Sequence, residues 1–426
     1  MEEWKEYRLG DIIEIKSGFA YKGDMIGYGE NILLGMGCVS YKERFLMSGA
    51  RTYAGNCADR YCANSGDIVL ATRQQSDNLP ILGMPAIIPN ELSKKRIIIG
   101  ANLYRVDNES DFSNEYIYWL LKTPLYVNHI RSCQSGTTVR MITKANIEDF
   151  RFKAPGRKER DRISTFLKTL DNKIEVNRRI HDNLEQQAQA LFKSWFVDFE
   201  PFRDGEFEES ELGRIPKGWR VYSMDELVEV IGGYSYKGSE LQDSNIAMAT
   251  IKNFNRNGGF KIDGFKEIIP SPKAKPDQYL AKYDILIAHT DLTQNADIIG
   301  NPALLLNFGD YERIIMSMDL VKVNSKVESI TYGLLYSFFA DSRFKSHALG
   351  YVNGTTVLHL SKKSIPEYKI ALPCDLTIVN QYGLILNSLF EKESFIIDES
   401  RRLAELRDTL LPRLMSGELK VNDVDA

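Results

Sequence analysis

Cysteine is scarce in this chain of 426 residues: five occur, Cys38, Cys57, Cys62, Cys133 and Cys374. The number is odd and the spacing irregular. Cys57 and Cys62 are the only close pair, with no second pair or histidine cluster to complete a zinc set. That argues against a disulfide-stapled scaffold or a zinc module and for reduced thiols in the cytoplasm. No apolar run reaches the ~18 residues that a bilayer-spanning helix needs. The start, Met1-Glu2-Glu3-Trp4-Lys5, is charged and lacks the apolar core of a signal segment. A cytoplasmic protein without membrane attachment is the expectation. A strong charge of one sign is missing too. The net charge is −4 with 26% charged residues, so the balance does not advertise a nucleic-acid partner. With 43% hydrophobic residues, wholesale disorder is excluded, and the length calls for more than one domain.

Catalytic signatures are also wanting. Tyr236-Lys237-Gly238-Ser239 reverses the order of a phosphate-binding Gly-Lys-Ser, and Gly35-Met36-Gly37 lacks the third glycine of a dinucleotide loop. The five histidines are scattered without an HExxH pattern. Asn301-Pro302-Ala303 lacks the second proline and the aromatic of an amino-methyltransferase tetrapeptide. Pro276-Asp277 with Lys282 lacks the paired acids of a metal-dependent nuclease. Together these absences favour a non-catalytic protein.

What the chain does contain is itself, twice. Trp4 to Gly23 lies over Trp219 to Gly238 without a gap, and seven of the twenty positions are identical. Asp67 to Ile88 matches Asp284 to Leu305, and Arg96 to Val106 matches Arg313 to Val323. Gly136 to Pro155 matches Gly354 to Pro373, each starting Gly-Thr-Thr-Val. Four segments in one order, with offsets between 215 and 218, identify a tandem duplication. Net charges over 1–154, 155–213, 214–373 and 374–426 are +1, −3, +2 and −4, so the acidity lies in the connectors.

Each copy has a mixed part and a helix. Asp67–Ala71 and Arg96–Ile99 read as strands, and Ser113 to Ile130 as helix broken or kinked at Pro124, with Ile117, Leu120, Leu121 and Leu125 at helical spacing. The fold class is thus α/β, mixed α+β. Beyond about Glu159, Leu170, Ile174, Asn177, His181, Leu184, Ala188, Leu191 and Trp195 recur in steps of four and three, ending near Phe199-Glu200-Pro201. Leu389, Glu393, Ile396, Ser400, Leu403, Arg407, Leu410 and Leu414 do the same, ending at Gly417. These helices either pack each on its own domain or on each other. The second arrangement covers both apolar stripes, and pseudo-two-fold symmetry would make the pair antiparallel, about 35 residues each and roughly 50 Å long.

The segment Leu191-Phe-Lys-Ser-Trp-Phe-Val-Asp-Phe-Glu-Pro201 with Leu212-Gly-Arg-Ile-Pro-Lys-Gly-Trp219 resembles the centre of type I restriction-modification specificity subunits. The tail Leu410-Leu-Pro-Arg-Leu-Met-Ser-Gly-Glu-Leu419 and both Gly-Thr-Thr-Val segments resemble them too. The resemblance spans nearly the whole chain. It implies a first target-recognition domain over 1–155 and a central helical spacer over 156–201. A linker and second domain would fill 202–373, and a C-terminal helical spacer 374–426. The two similar domains would be separated by a long antiparallel coiled coil. It also implies a non-catalytic subunit of a methyltransferase and endonuclease complex that recognises an asymmetric bipartite site in double-stranded DNA. Its partners would be two methylation subunits and translocating restriction subunits. S-adenosylmethionine would sit on the methylation subunits, and this chain itself would hold no cofactor or metal. The alternatives are a self-contained methyltransferase or nuclease with a similar recognition module, and a bridging scaffold that does not touch DNA.

The duplication sorts the polar residues. Residues shared by two copies cannot distinguish two half-sites, so shared residues suit scaffold or phosphate, and divergent ones suit bases. Lys22, Lys144, Lys237 and Lys362 are the phosphate candidates. Arg73, Gln74 and Gln75 in Thr72–Asp77 face His289, Thr290 and Gln294 in the second copy, and Arg140-Met141 faces Leu358-His359. Arg suits guanine and Gln adenine, so Arg73, Gln74, Gln75, Arg140, His289, Thr290, Gln294 and His359 are the base-reading candidates. Lys42, Arg44, Asn253, Asn255 and Arg256 join them on chemistry alone. Phe192, Trp195, Phe196 and Phe199 have two readings, as core where helix meets domain or as a surface docking a partner.

Overall fold

The computed structural model describes residues 4–75, 80–256 and 258–423. The chain divides into two compact units, one of Met1–Ile174 with Arg402–Ala426, the other of Glu175–Arg401.

In the first unit an antiparallel sheet runs in the order Ile13–Ser17, Leu103–Asn108, Ile68–Ala71, Pro85–Ile87. The central strand Ile-Val-Leu-Ala is buried throughout, because both its faces are covered. Ile68 and Leu70 point into a core shared with helices, whereas Val69 and Ala71 point into a second core beneath another sheet. That second sheet runs Ala50–Tyr53, Ile26–Leu34, Ile97–Ile99, Cys62–Ala63, with a parallel pair at its centre.

The other unit repeats this strand for strand. Val228–Gly232, Leu320–Ser325, Ile285–Ala288 and Pro302–Leu304 form the first sheet. Lys266–Glu267, Ile246–Ala249, Arg313–Met316 and Tyr279–Leu280 form the second. The register is kept: Val106 lies between Ile15 and Ile68, and Val323 between Val230 and Ile285. The segment after Ser113 splits at Pro124 into Asn114–Leu120 and Pro124–Cys133, with proline at the first helical position. Tyr126 and Ile130 carry the buried face of the second piece. Leu125, expected there, is 61% exposed.

The strands Arg151–Ala154 and Lys369–Pro373 each lead into a long helix, Arg157–Phe196 and Leu376–Ser416, of 40 and 41 residues. At 1.5 Å per residue each is roughly 60 Å, longer than the heptad pattern suggests, because both begin ahead of their first seam leucine. In each unit the portions of the two helices run antiparallel. Within the second unit Asn177 Nδ2 donates to Glu399 Oε2 at 2.7 Å, His181 Nδ1 lies 3.3 Å from Glu393 Oε1, and Trp195 packs on Tyr382 at 4.6 Å between rings. Within the first unit, Ile163 and Leu167 share a core with Leu410, Leu411, Leu414 and Met415, and Arg407 pairs with the buried Asp171. Asp171 takes the inward position there and Leu170 is only half-buried, so the seam is shifted by one residue from its expected course. The first helix ends before Phe199, whose φ is 52°, and a turn over Glu200–Phe202. The second ends at Gly417, φ 78°, against the indole of Trp4. Trp219, the repeat mate of Trp4, packs in the second unit on Phe196, Phe199 and Phe202. Among the described residues no helix is long and apolar enough to cross a membrane.

Candidate nucleic-acid interface

In each copy, one end of the first sheet gathers most of the sequence-selected polar residues. In the first unit, Ser17 pairs with Tyr104, and Tyr104 with Leu70, so the end of one strand, the start of the next and the end of the third lie side by side. From this edge emerge the Lys22 loop, the turn Gly100–Asn102, and a short strand Arg73–Gln74. That strand pairs with Arg140–Met141, Arg140 opposite Gln74 and Met141 opposite Arg73. Residues 66 and 68 positions apart thus form one ladder. Arg73 and Gln75 are exposed, Met141 is 41% exposed, and Arg140 is half-buried. Lys144 Nζ stands 6.0 Å from the ring of Tyr104. Burial raises the Tyr104 hydroxyl above the ordinary tyrosine range, and the nearby Arg73 partly offsets this. A cavity of about 240 Å³ beside the ladder is lined by Gln74, Arg131, Gln134 and Arg140 among others. Ser76 and Asp77 lie outside the described residues.

The second unit builds the same ladder from Thr290–Asp291 and Leu358–Leu360, with Thr290 opposite His359. His359 and Lys362 are exposed. Burial, with His359 and Lys362 beside it, holds the His289 imidazolium below the ordinary histidine range. Thr290 is buried and its hydroxyl donates to Asp319 Oδ1 at 3.0 Å. Gln294 is exposed, and its Nε2 donates to the carbonyl of Thr355 at 2.5 Å, tying its loop to the neighbouring hairpin tip.

Two base-reading candidates are spent on structure instead. Gln74 is 7% exposed, and its Oε1 accepts the Leu82 amide at 3.3 Å. The buried Thr290 hydroxyl is engaged by Asp319. Both belong to the walls of the site rather than its open face, because alternate strand residues point opposite ways or are covered by the adjoining turn.

The shared residues divide by geometry. Lys22 and Lys237 are exposed and each precedes a short turn, Gly23–Met25 and Gly238–Glu240; their backbone amides are held by the Tyr53 hydroxyl and the Glu240 carboxylate. Gly18 and Gly233 are glycine for contact reasons: a Cβ would stand 2.1 Å from the Gly100 carbonyl oxygen and 1.9 Å from that of Ser317. Gly136 and Gly354 have φ of 90° and 113° and open the hairpins that carry Arg140 and His359. Beside them, Thr137, Thr138, Thr355 and Thr356 are exposed hydroxyls identical in both copies. They lie outside the sequence-based candidates, yet their identity and exposure place them with the shared lysines.

Residues 1–186 match the model of the type I restriction modification DNA specificity domain. The chain is 27% identical over 319 residues to the type I restriction enzyme MjaIX specificity subunit of Methanocaldococcus jannaschii, covering 73% of this chain and 70% of that one. It is 26% identical to the HindI specificity subunit of Haemophilus influenzae, over 98% and 100% of the two chains. The solved S subunit from M. genitalium shares its fold, with a TM-score of 0.58 at 14% identity over 97% and 96% of the chains. Residues 1–186 thus belong to the type I restriction modification DNA specificity domain, and the likeness to specificity subunits runs over the rest of the chain. Such subunits recognise DNA and do not themselves catalyse.

Beyond the two ladders, the chain keeps several of its other polar and aromatic residues for internal use. Arg44 forms a forked pair with Glu115 at 2.7 and 2.8 Å and approaches Asp171 at 3.5 Å, so its guanidinium is committed to a half-buried ion network. Asn253 is fully buried and donates to the Lys261 carbonyl at 2.8 Å. Arg256 lies 3.8 Å from Asp297, while Lys42 and Asn255 are exposed. Phe192 and Phe196 are 3% and 4% exposed, stacked on each other and packed edge-to-face against Phe338. Trp195 and Phe199 pack against the same core. The buried Phe192 and Phe196 join helix to domain within the second unit, while Trp195 and Phe199 stay half-buried at its edge. Among the described residues no group of histidine, cysteine or acidic side chains is arranged to hold a metal ion.

Proposed function

We propose that this subunit reads an asymmetric bipartite site in double-stranded DNA, one short half per copy, across a fixed gap of unspecified bases. The observation that carries this is the paired construction of the two ladders: one backbone, built twice, presents Arg73, Gln75 and Met141 in one copy and Leu292, Gln294 and His359 in the other. Matched scaffolds with different exposed chemistry are what two different half-sites require. Lys22, Lys144, Lys237 and Lys362, with the threonine pairs, hold the phosphates on either side.

In this reading two methylation subunits join the chain, with translocating restriction subunits in a larger complex in the cytoplasm. S-adenosylmethionine is held by the methylation subunits, and this chain contributes no cofactor site. The decisive experiment is methylome sequencing of cells that express the chain with its methylation subunits. A single bipartite methylated motif is expected. Methylation without a split motif, or methyl transfer by the purified chain alone, would overturn the proposal.

A further inference from the structure

The second copy carries large apolar side chains on its reading edge, where solvent exposure has no structural use. Leu292 is 66% exposed and Met318 57%. Leu292 lies two residues beyond Thr290, and Met318 immediately precedes Asp319, whose carboxylate and carbonyl hold Thr290 and His289. The repeat mates of these residues are the exposed Gln75 and Ala101. The first copy shows the converse exchange, with Met141 exposed where the second has His359.

An isolated exposed leucine is ordinary. Here the loop that carries it is fixed from both sides. Asp291 accepts the amides of Thr293 at 2.8 Å, Ile298 at 2.7 Å and Ile299 at 3.3 Å. Lys345 Nζ reaches the carbonyls of Ala296, Asp297 and Ile299 and the Asn301 side chain, at 2.6 to 3.3 Å. A rigid loop therefore presents Leu292 outward with no partner of its own fold to cover it. The position keeps its backbone anchor between copies while its side chain changes from amide to alkyl. That freedom suits a reader rather than a support.

Only one base edge in the major groove offers an apolar feature, the C5-methyl of thymine. We infer that Leu292, flanked by Met318, is a specificity-determining residue of the second copy that packs on a thymine methyl group in its half-site. This rests on the proposal that the chain reads bipartite DNA.

The test uses the complex assembled with its methylation subunits and duplexes carrying the methylome-defined site. Each thymine of the two half-sites is replaced in turn by deoxyuridine, which removes only the methyl group. We expect binding about threefold to fivefold weaker at one thymine, the effect of uncovering a single methyl. Leu292→Ala should then bind the thymine and deoxyuridine duplexes equally at that position, and Met318→Ala should reduce the difference. Leu292→Gln, restoring the first copy's residue, should lose the preference for thymine there. Specific binding with a flat deoxyuridine scan, or with the same sensitivity kept in Leu292→Ala, would overturn the inference and leave the bipartite reading standing. Failure of the wild-type complex to prefer its site over unrelated duplex would overturn both.

Discussion

Gln74 and Asp291 hold the same position in the two copies and perform one task with different chemistry: each accepts backbone amides from the loop that comes after it. Gln74 takes the amide of Leu82, eight residues on; Asp291 takes those of Thr293, Ile298 and Ile299. A difference between repeats therefore marks a candidate reader only when the side chain is also exposed. Gln74→Ala should destabilise the protein by about 1–2 kcal/mol, since a buried amide is left without an acceptor. Asp291→Ala should cost more, about 2–3 kcal/mol, because a charged acceptor of several amides is lost. Urea denaturation measures both. Gln74→Ala should not alter which bases the stable complex selects, whereas Asp291→Ala, which frees the loop that carries Leu292, should weaken base choice in the second half-site.

Arg73 and Lys22 test the distinction between base and phosphate contacts. Arg73→Ala should cost about 1–3 kcal/mol at one base pair of one half-site. Lys22→Ala should weaken binding to every sequence alike and reduce the salt slope by about one counterion. Competition binding at several salt concentrations separates the two outcomes. Relaxed choice at one position in Lys22→Ala would break the rule that shared residues are unspecific.

Much of this was legible in the sequence because duplication prints a fold twice. The repeat offsets anticipate the paired registers of Val106 and Val323, and the apolar periodicity anticipates two long helices. Individual side-chain roles were less legible. Arg44 looks like a free guanidinium until Glu115, 71 residues away, is seen to grip it. Gln74 looks like an adenine reader until strand pairing turns it inward. Phe192 and Phe196 suit an interface as well as a core by composition, and only the packing of Phe338 decides. Non-local contacts set these roles, and no local pattern encodes them.

The polar seam of the second unit makes stability depend on pH. Burial, with Glu185 nearby, pushes the Glu393 carboxyl up to about 8 from an ordinary value of 4.5. The folded state thus holds a proton that the unfolded chain releases. Stability contributed by this site is fully present below about pH 4.5 and is lost progressively as pH rises towards 8. Glu393→Gln should leave melting at pH 4.5 nearly unchanged. At pH 8.5 it should be more stable than wild type by up to about 4 kcal/mol. Melting curves across that range, with His181 intact, check the sign.

The long helices give a geometric prediction. Four residues inserted beside Asn177 add roughly 6 Å and just over one turn. The unspecified gap should lengthen by one or two base pairs, at roughly 3.4 Å each, with both half-sites unchanged. A two-residue insertion rotates the remainder of the helix by about 200° and should abolish specific binding. Methylome sequencing of both variants reads the result, and an unchanged gap after the four-residue insertion would show that the helices do not set it.

The first unit closes only when the last helix arrives, since Leu410, Leu411, Leu414 and Met415 complete the core that holds Leu9, Ile12 and Ile117, and Gly417 seats Trp4. During synthesis, residues 4–174 must wait on the ribosome for about 230 further residues, while the contiguous segment 175–401 can finish first. The domain translated first is the last to mature. A ribosome stalled before residue 402 would release a chain with one finished reading head and one exposed core, a natural substrate for chaperones and proteases rather than a half-specific subunit.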